Sequence, residues 1–275
     1  MLISCFLLIF ITNILNVNGG GFYRNERNTV GRQILNNKYK FNHPAFIVDK
    51  NNKFINKNNY NFGNKTITIS PSGLYGFYTL GICSVVKDKK KDLNDYIVNG
   101  VSSGSWNSIF LAYNGDTDYF INKIFNSEFN KCNKINEIQN LMKYNILSNF
   151  EINEFNLKNT YITINGYHKK EMKTLFFNEF NTLEDVVDCC IGSSNIPYIT
   201  GSIVCKYRNI LAFDGGFCEN PYVIPKDESL HISRKMFDRF SYNEDSFDMS
   251  ISKRELFNLG RKDAENSKLF TLNIL

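Results

Sequence analysis

Residues 65–113 restrict the fold of this chain more than any other stretch, because strand and helix patterns alternate within them. The alternating β-branched residues 65–70 predict a strand, and the apolar residues 74–86 predict a buried helix. Residues 96–98 then predict a short buried strand, and residues 106–113 a second helix. Strands that alternate with helices are typical of layered α/β domains, so an α/β fold is expected.

The same alternation continues less regularly towards the carboxyl terminus. Residues 116–157 are mostly amphipathic helix and linker, residues 161–166 are strand-like, and residues 183–192 are helical. Two short strands, 203–207 and 210–213, predict a hairpin around Arg208-Asn209. We therefore divide the chain into an irregular lead segment, 20–64, a main α/β domain, 65–225, and a charged helical extension, 226–275, that ends in a helix over 253–268.

The amino terminus predicts entry into the secretory pathway. Residues 2–15 are almost wholly apolar and uncharged, and about 14 residues are too few to span a bilayer comfortably. They fit the apolar region of a signal peptide cleaved after Gly19, although no Lys or Arg precedes them. An uncleaved anchor and a buried first element are the alternatives. The expected location is the secretory pathway or the cell exterior, with membrane association left open.

Composition excludes several classes of protein. The 275 residues are 43% hydrophobic and 21% charged, which is globular composition rather than that of a disordered or fibrous chain. The net charge of +5 is too mild to indicate a nucleic-acid partner. Of the seven cysteines, cleavage would leave six, an even number that suits disulfides, yet most lie in apolar runs typical of buried thiols. No C-x-x-C pair occurs, so no metal site is expected.

The segment Gly100-Val101-Ser102-Ser103-Gly104 is the strongest chemical signal. Its G-x-S-x-G pattern follows a predicted strand and precedes a predicted helix, which is the setting of a nucleophile elbow. The glycines permit a sharp turn, and the serine lies near a helix amino terminus that favours developing negative charge. Ser102 is therefore the predicted nucleophile.

A nucleophilic serine needs a base, and the three histidines are poor candidates. His43 lies in the lead segment and His168 ends a strand. Only His231 could complete the order Ser, Asp, His that α/β-hydrolases use, and nothing around it resembles a built site. The better candidate is Asp214, which follows an apolar strand and precedes two glycines. A plain turn after a hairpin is the alternative reading of that segment.

Four segments in order resemble the patatin-like phospholipases, and the resemblance is nearest to the adiponutrin-like branch. Residues 72–78 with Gly81 resemble the glycine-rich oxyanion segment, and residues 100–104 match the nucleophile elbow. Residues 190–197 resemble the small-residue segment that ends in a proline, and residues 214–216 match the D-G-G motif. The resemblance covers residues 67–222, over half of the chain.

The resemblance implies a three-layer domain with a central, mostly parallel sheet flanked by helices. It implies a Ser–Asp dyad, with Ser102 as nucleophile and Asp214 as general base, and no cofactor. It implies an oxyanion hole from the amides of Gly73, Leu74 and Ser103. Pro71 departs from the family, because it stands where a glycine is usual and has no N–H to donate. The oxyanion hole is therefore either shifted to neighbouring amides or weakened. The motif glycines carried over are Gly76, Gly100, Gly104, Gly215 and Gly216.

The leading hypothesis is a lipid acyl hydrolase that cleaves phospholipid or acylglycerol esters at a membrane or lipid-droplet surface. One alternative is a secreted α/β-hydrolase esterase that uses Ser102 and His231. The other is a catalytically weak lipid-binding protein on a patatin-like scaffold. A basic loop of Lys87, Lys89, Lys90 and Lys91 is expected to lie at the opposite end of the strand from Ser102, and to contribute little to membrane binding.

Overall fold

A single mixed sheet organises the described part of the chain, which in this computed structural model comprises residues 46–48, 65–90, 92–125, 127–168, 170–201, 205–218, 228–241 and 244–268. Its strand order is β1-β5-β4-β3-β2-β8, and β7 pairs with both β4 and β6. The strands are β1 (Phe46–Val48), β2 (Lys65–Ile69), β3 (Tyr96–Val101), β4 (Thr160–His168), β5 (Glu171–Phe177), β6 (Cys205–Tyr207), β7 (Ile210–Phe213) and β8 (Glu228–Ile232).

The centre of the sheet is parallel. Strands β8, β2, β3 and β4 run in the same direction, whereas β1 and β5 continue the sheet in antiparallel pairs. Strand β7 is antiparallel to β4 and to β6. The expected α/β architecture is thus confirmed, with a mixed sheet whose parallel part includes the strand that precedes Ser102.

Six helices accompany the sheet in the described residues. They are α1 (Gly76–Lys89), α2 (Ser103–Ala112), α3 (Thr117–Ile124), α4 (Ile135–Asn149), α5 (Leu183–Ser193) and α6 (Lys253–Asn266). Side chains from all six belong to one apolar cluster with alternate residues of the central strands, such as Ile67, Ile69 and Val98. The intervening residues Thr66 and Thr68 are polar and buried, so β2 presents an apolar face to the helices and a polar face on the other side.

The region 226–275, which the sequence predicted to be a charged helical extension, contributes a strand as well as a helix to this fold. Strand β8 pairs with β2, and helix α6 packs along α1. The two helices approach closely at glycines: a Cβ on Gly81 would lie 2.1 Å from the Phe257 carbonyl oxygen, and one on Gly260 would lie 1.9 Å from that of Tyr78. A side chain at either glycine would push the helices apart.

Other boundaries also differ from the sequence prediction. Strand β1 falls inside the lead segment that was predicted to be irregular, and β5 was missed. Helix α1 extends to Lys89, so Lys87 and Lys89 are helical rather than part of a loop. The hairpin of β6 and β7 around Arg208-Asn209 is confirmed. The signal-peptide prediction for residues 1–19 lies outside the described residues.

The cysteines of the described residues are all free thiols. They are Cys83, Cys132, Cys189, Cys190, Cys205 and Cys218, and all but Cys132 and Cys205 are buried. Among the helices described, none has both the length and the apolar character that a bilayer crossing requires.

Candidate functional site

Strand β4 brings Ser102 and Asp214 together, although they are far apart in sequence. Its first half pairs with β3, with Thr163 beside Val101, and the second half of the same edge pairs with β7, with Asn165 beside Phe213. Because β3 is parallel and β7 antiparallel to β4, their carboxyl ends point at each other. Ser102 follows one end and Asp214 follows the other, so the two residues meet.

The backbone of Ser102 is strained and firmly held. Its φ of 55° is unusual for a residue with a side chain, and such conformations cost about 1–3 kcal/mol. The Ser102 amide donates to the Ser193 hydroxyl at 2.9 Å, and that hydroxyl donates to the Thr163 carbonyl at 2.6 Å. The Ser102 carbonyl accepts hydrogen bonds from the amide and hydroxyl of Ser105. These contacts keep the serine at the sharp turn where α2 begins.

The Asp214 carboxylate is buried and aimed at this serine. Ser102 Oγ donates to Asp214 Oδ2 at 2.5 Å, and the Gly216 amide donates to Asp214 Oδ1 at 2.6 Å. The Asp214 amide donates to the carbonyl of Asn195 at 2.8 Å, which ties the residue to the end of α5. Both oxygens of the carboxylate are therefore oriented, one by the backbone and one by the candidate nucleophile.

Burial changes the acidity of this carboxyl group. Asp214 is only 3% exposed, and desolvation raises its pKa from 3.8 to about 6, against the opposing effects of the hydrogen bonds from Ser102 and Gly216. A carboxylate with a pKa near 6 is a better proton acceptor than an ordinary aspartate and is still ionised at neutral pH. The site therefore holds a hydroxyl beside a base of suitable strength.

The glycine-rich segment after β2 lies beside this pair. The Ser72 amide donates to Ser103 Oγ at 2.9 Å, which links the segment to the start of α2. Gly73 has a φ of +57°, a conformation that glycine adopts easily, and it lines the same pocket as Ser103. Gly73 and Ser103, two of the three predicted oxyanion donors, thus line the pocket that contains Ser102.

The third expected donor is engaged elsewhere. The Leu74 amide donates to the Ser246 carbonyl at 2.8 Å, so it is not available to an oxyanion in this conformation. This differs from the sequence prediction, because residue 246 lies far along the chain and no local pattern pointed to it. Together with Pro71, which has no N–H, the contact leaves the hole with fewer donors than the family pattern implies.

Buried and aromatic contacts hold the Ser246 segment in place. Arg234 is 7% exposed, donates from Nη1 to the Ser246 hydroxyl at 2.7 Å and lies over the Tyr75 ring at 5.1 Å. The Tyr75 hydroxyl donates to Glu244 at 3.0 Å. Residues 244–247 are therefore fixed across the glycine-rich segment, and Phe247 contributes to the pocket wall.

An apolar pocket opens at Ser102 and Asp214. It encloses about 580 Å³ of unfilled space, part of it open to solvent. Helices α1, α2 and α4 supply most of the wall. The buried side chain of Gln139 is held by its Nε2, which donates to Ser194 Oγ at 2.8 Å. The large apolar residues of the wall are Leu74, Phe77, Leu80, Trp106, Ile135, Ile138, Met142, Ile196 and Phe247.

The five motif glycines occupy crowded positions. A Cβ added to any of them would lie 2.3–2.8 Å from a neighbouring atom, closer than real contacts allow. At Gly104 that atom is the Ile69 carbonyl oxygen, and at Gly215 it is the Thr163 carbonyl oxygen. The turn that carries Ser102 and the turn that carries Asp214 thus approach the strands without side chains between them. The five are Gly76, Gly100, Gly104, Gly215 and Gly216.

His231, the alternative base for Ser102, contacts a different serine. The His231 ring lies on β8, and its Nε2 is 2.6 Å from Ser70 Oγ. The hydroxyl of Ser102, in contrast, is bonded to Asp214. His168 ends β4, and His43 lies outside the described residues. The geometry therefore favours Asp214 over His231 as the partner of Ser102.

Sequence reasoning did not assign Ser193, Asn195 or Ser246 to the site. Ser193 and Asn195 lie in the small-residue segment that was recognised, but their hydrogen bonds to Ser102 and Asp214 depend on the fold. In the residues that the structure describes, no group of three His, Cys, Asp or Glu side chains could hold a metal ion.

Comparisons with known proteins do not identify a family for this chain. No protein-family model matches the chain, and no curated protein sequence matches it. The resemblance to patatin-like phospholipases therefore depends on the four short segments and on the geometry described above.

Proposed function

We propose that this protein is a serine lipid acyl hydrolase of the patatin-like type, with Ser102 and Asp214 as its dyad. One observation carries the proposal: Ser102 Oγ donates to the buried carboxylate of Asp214 at 2.5 Å, at the mouth of an apolar pocket. The order of the parts along the chain supports it as well. The glycine-rich segment follows β2, the serine follows β3 and the aspartate follows β7. The three-layer patatin arrangement is part of the same proposal.

The first half of the reaction would form an acyl-enzyme. Ser102 Oγ attacks the carbonyl carbon of the ester while Asp214 takes the hydroxyl proton. The negative charge that develops on the carbonyl oxygen is stabilised by the amides of Gly73 and Ser103. When the intermediate collapses, the bond to the leaving alcohol breaks, and Asp214 returns its proton to the alcohol oxygen. The acyl group is then bound to Ser102 as an ester.

The second half would release the acid. Asp214 takes a proton from a water molecule, whose oxygen attacks the acyl carbon. The bond to Ser102 Oγ breaks, the proton passes back to Ser102, and a fatty acid leaves. One ester and one water give one alcohol and one acid, with no cofactor.

The raised pKa of Asp214 makes this dyad chemically reasonable. A free aspartate is a weaker base than histidine by about 2.6 pKa units, which corresponds to about 3.5 kcal/mol. With the Asp214 pKa at about 6, the difference from a reference histidine shrinks to about half a unit. Burial thus removes most of the disadvantage of using a carboxylate as the base.

The apolar wall supports an acyl chain as the group that the pocket accepts. Phe77, Leu80 and Met142 would contact methylene groups, and each buried CH₂ contributes about 0.8 kcal/mol. The polar part of the substrate would then lie towards the opening. Both phospholipids and acylglycerols meet these requirements, so the proposal names the ester class and not one headgroup.

One observation favours a second candidate, a lipid-binding protein with weak catalysis. The Leu74 amide is bonded to Ser246, and losing one oxyanion donor typically lowers rates by about 10²–10³. Such a protein would bind lipid in the same pocket and turn over slowly. A Ser–His esterase is disfavoured because the His231 ring is bonded to Ser70.

Labelling and turnover together test the proposal. The full chain is treated with a fluorophosphonate, and hydrolysis is measured on phospholipid and acylglycerol substrates. We expect covalent labelling and hydrolysis that are lost in Ser102→Ala and kept in Ser148→Ala, a change at an exposed serine of α4. Labelling without turnover would favour the weakly catalytic candidate. Labelling or turnover that survives in Ser102→Ala would contradict the assigned nucleophile.

A further inference from the structure

Two large apolar side chains are exposed side by side at the edge of the pocket. Tyr198 is 67% exposed and Ile199 is 45% exposed, in a loop after α5. Ile196 and Thr200, at the two ends of this loop, line the pocket beside Ser102. The loop therefore has its base in the pocket wall and its apolar tip in solvent.

The base of this loop is closed by its own hydrogen bonds. The amides of Ile199 and Thr200 donate to the Ile196 carbonyl at 3.1 Å and 3.0 Å, and the Ile196 amide donates to Thr200 Oγ1 at 2.7 Å. Tyr198 has a φ of +67°, which is costly for a residue with a bulky side chain. Glycine or asparagine would fit this turn with less strain.

The loop is also joined to the dyad. Asn195, which precedes it, accepts a hydrogen bond from the Asp214 amide at 2.8 Å and donates from Nδ2 to the Ala212 carbonyl at 3.3 Å. The start of the loop is therefore anchored beside Asp214. Whatever Tyr198 and Ile199 contact is held at the entrance of the pocket.

We propose that Tyr198 and Ile199 form a docking tip that enters the headgroup region of a lipid surface and places the pocket mouth against it. The inference rests on the proposed function, because it assumes that the pocket receives an acyl chain from that surface. Tyrosine suits this position, since its ring is apolar and its hydroxyl remains near water and headgroups. Isoleucine adds apolar area that enters the acyl boundary.

The occupant is a lipid surface rather than a soluble ligand because of where the tip lies. An ester in a bilayer reaches Ser102 only if the pocket mouth faces the membrane, and the tip protrudes at that mouth. Because the tip itself is apolar, docking is expected on zwitterionic lipid as well as on anionic lipid. If the tip instead binds a protein, the chain should not bind vesicles of pure lipid.

The chain provides a matched control elsewhere on its surface. Tyr144 is 68% exposed on α4 and Tyr119 is 45% exposed on α3, so together they present nearly the same exposed fractions as Tyr198 and Ile199. The test pair is Tyr198→Asn with Ile199→Ser, because asparagine tolerates a positive φ. The control pair is Tyr144→Asn with Tyr119→Asn.

Binding of the full chain to phosphatidylcholine vesicles at physiological salt decides the proposal. We expect the dissociation constant to rise at least about tenfold in the test pair and less than about twofold in the control pair. Ile199→Ser alone should give a rise of about threefold, and thermal unfolding of each variant checks folding. No binding by the unaltered chain, no rise in the test pair, or equal rises in both pairs would overturn it.

Hydrolysis of a monodisperse short-chain ester separates docking from catalysis. That activity should be unchanged in the test pair, while hydrolysis of vesicle lipid falls with binding. If the unaltered chain binds vesicles through the tip but hydrolyses neither substrate, the proposed function fails and the docking tip stands. If the unaltered chain hydrolyses both substrates and the test pair binds vesicles normally, the proposed function stands and the docking tip fails.

Discussion

Near each end of β3, an ionisable group with a shifted pKa lies beside a cavity, and the two groups differ in what they contact. At the carboxyl end, burial raises the pKa of Asp214 to about 6. At the opposite end, burial lowers the pKa of Lys87 to about 8. Both shifts favour the uncharged form, and each group lies beside a cavity. The size of a pKa shift therefore does not distinguish them.

Their partners do distinguish them. The Lys87 ammonium donates to the carbonyls of Leu111 and Tyr113, where α2 ends, and so satisfies the carboxyl end of a helix. The cavity beside it is polar and is lined by asparagines such as Asn94 and Asn156. Asp214 instead faces a hydroxyl on a strained turn beside an apolar pocket. A perturbed pKa indicates function only where the partner is a reactive group.

The largest expected effect is loss of hydrolysis in Asp214→Asn. Without the base, Ser102 loses its proton acceptor, and general base catalysis of this kind contributes about 10²–10⁴-fold. The asparagine can still accept from the Gly216 amide and donate to Ser102, so the fold should persist. Steady-state hydrolysis and circular dichroism of the same preparation check this. Activity within tenfold of the unaltered protein would refute the dyad.

The same variant should be more stable at neutral pH. Because the folded-state pKa of Asp214 is raised from 3.8 to about 6, the cost of burying its charge is absent below 3.8 and complete above 6. The shift of about two units corresponds to about 3 kcal/mol. Asp214→Asn should therefore exceed the parent in unfolding free energy by up to about 3 kcal/mol at pH 7 and match it near pH 4. Denaturant unfolding at both values measures the difference, and equal stability at pH 7 would contradict it.

The next effect concerns the pH dependence of catalysis. The base must be ionised, so kcat/KM should rise about tenfold per pH unit below about 6 and then level off, with a loss of about a hundredfold at pH 4. The profile is measured on a soluble ester to avoid changes in the lipid surface. Lys87→Met should leave this limb in place. A flat profile from pH 4 to 8 would show that Asp214 is not the group that titrates.

The sequence predicted those parts of the fold and site that depend on local patterns. β2, β3, α1 and α2 follow from residue alternation and apolar runs, and Ser102 and Asp214 follow from short motifs at strand ends. β8 was missed because five residues with a Glu, a Ser and a His carry little strand signal, and its pairing with β2 spans the whole domain. The hydrogen bond from Leu74 to Ser246 was missed for the same reason, since a backbone contact between distant segments does not restrict the residue types in either segment.

A smaller effect is expected from Gly73→Ala. Its φ of +57° is strained for alanine, and the new Cβ would lie 2.5 Å from the Ser246 carbonyl oxygen. The glycine-rich segment would have to shift, which should lower the unfolding free energy by about 1–3 kcal/mol and hydrolysis at least about tenfold. Gly115→Ala is the control at the other end of β3, where the nearest atom is the Tyr113 hydroxyl. Equal losses of hydrolysis in the two variants would show that general destabilisation is responsible.

The smallest effect is expected at Lys87, and it tests the comparison most directly. Lys87→Met keeps the apolar stem and removes the ammonium group, which donates to the carbonyls of Leu111 and Tyr113 and lies over the rings of Phe110 and Tyr113. Losing those contacts is partly offset because a half-buried charge is also removed, so the unfolding free energy should change by about 1 kcal/mol or less. Hydrolysis of a soluble ester should stay within about twofold, and vesicle binding should be unchanged, because the docking tip lies at the other end of the strand. A tenfold loss of hydrolysis with normal folding would mean that Lys87 is functional. The reactivity of the partner group would then not distinguish the two ends of β3.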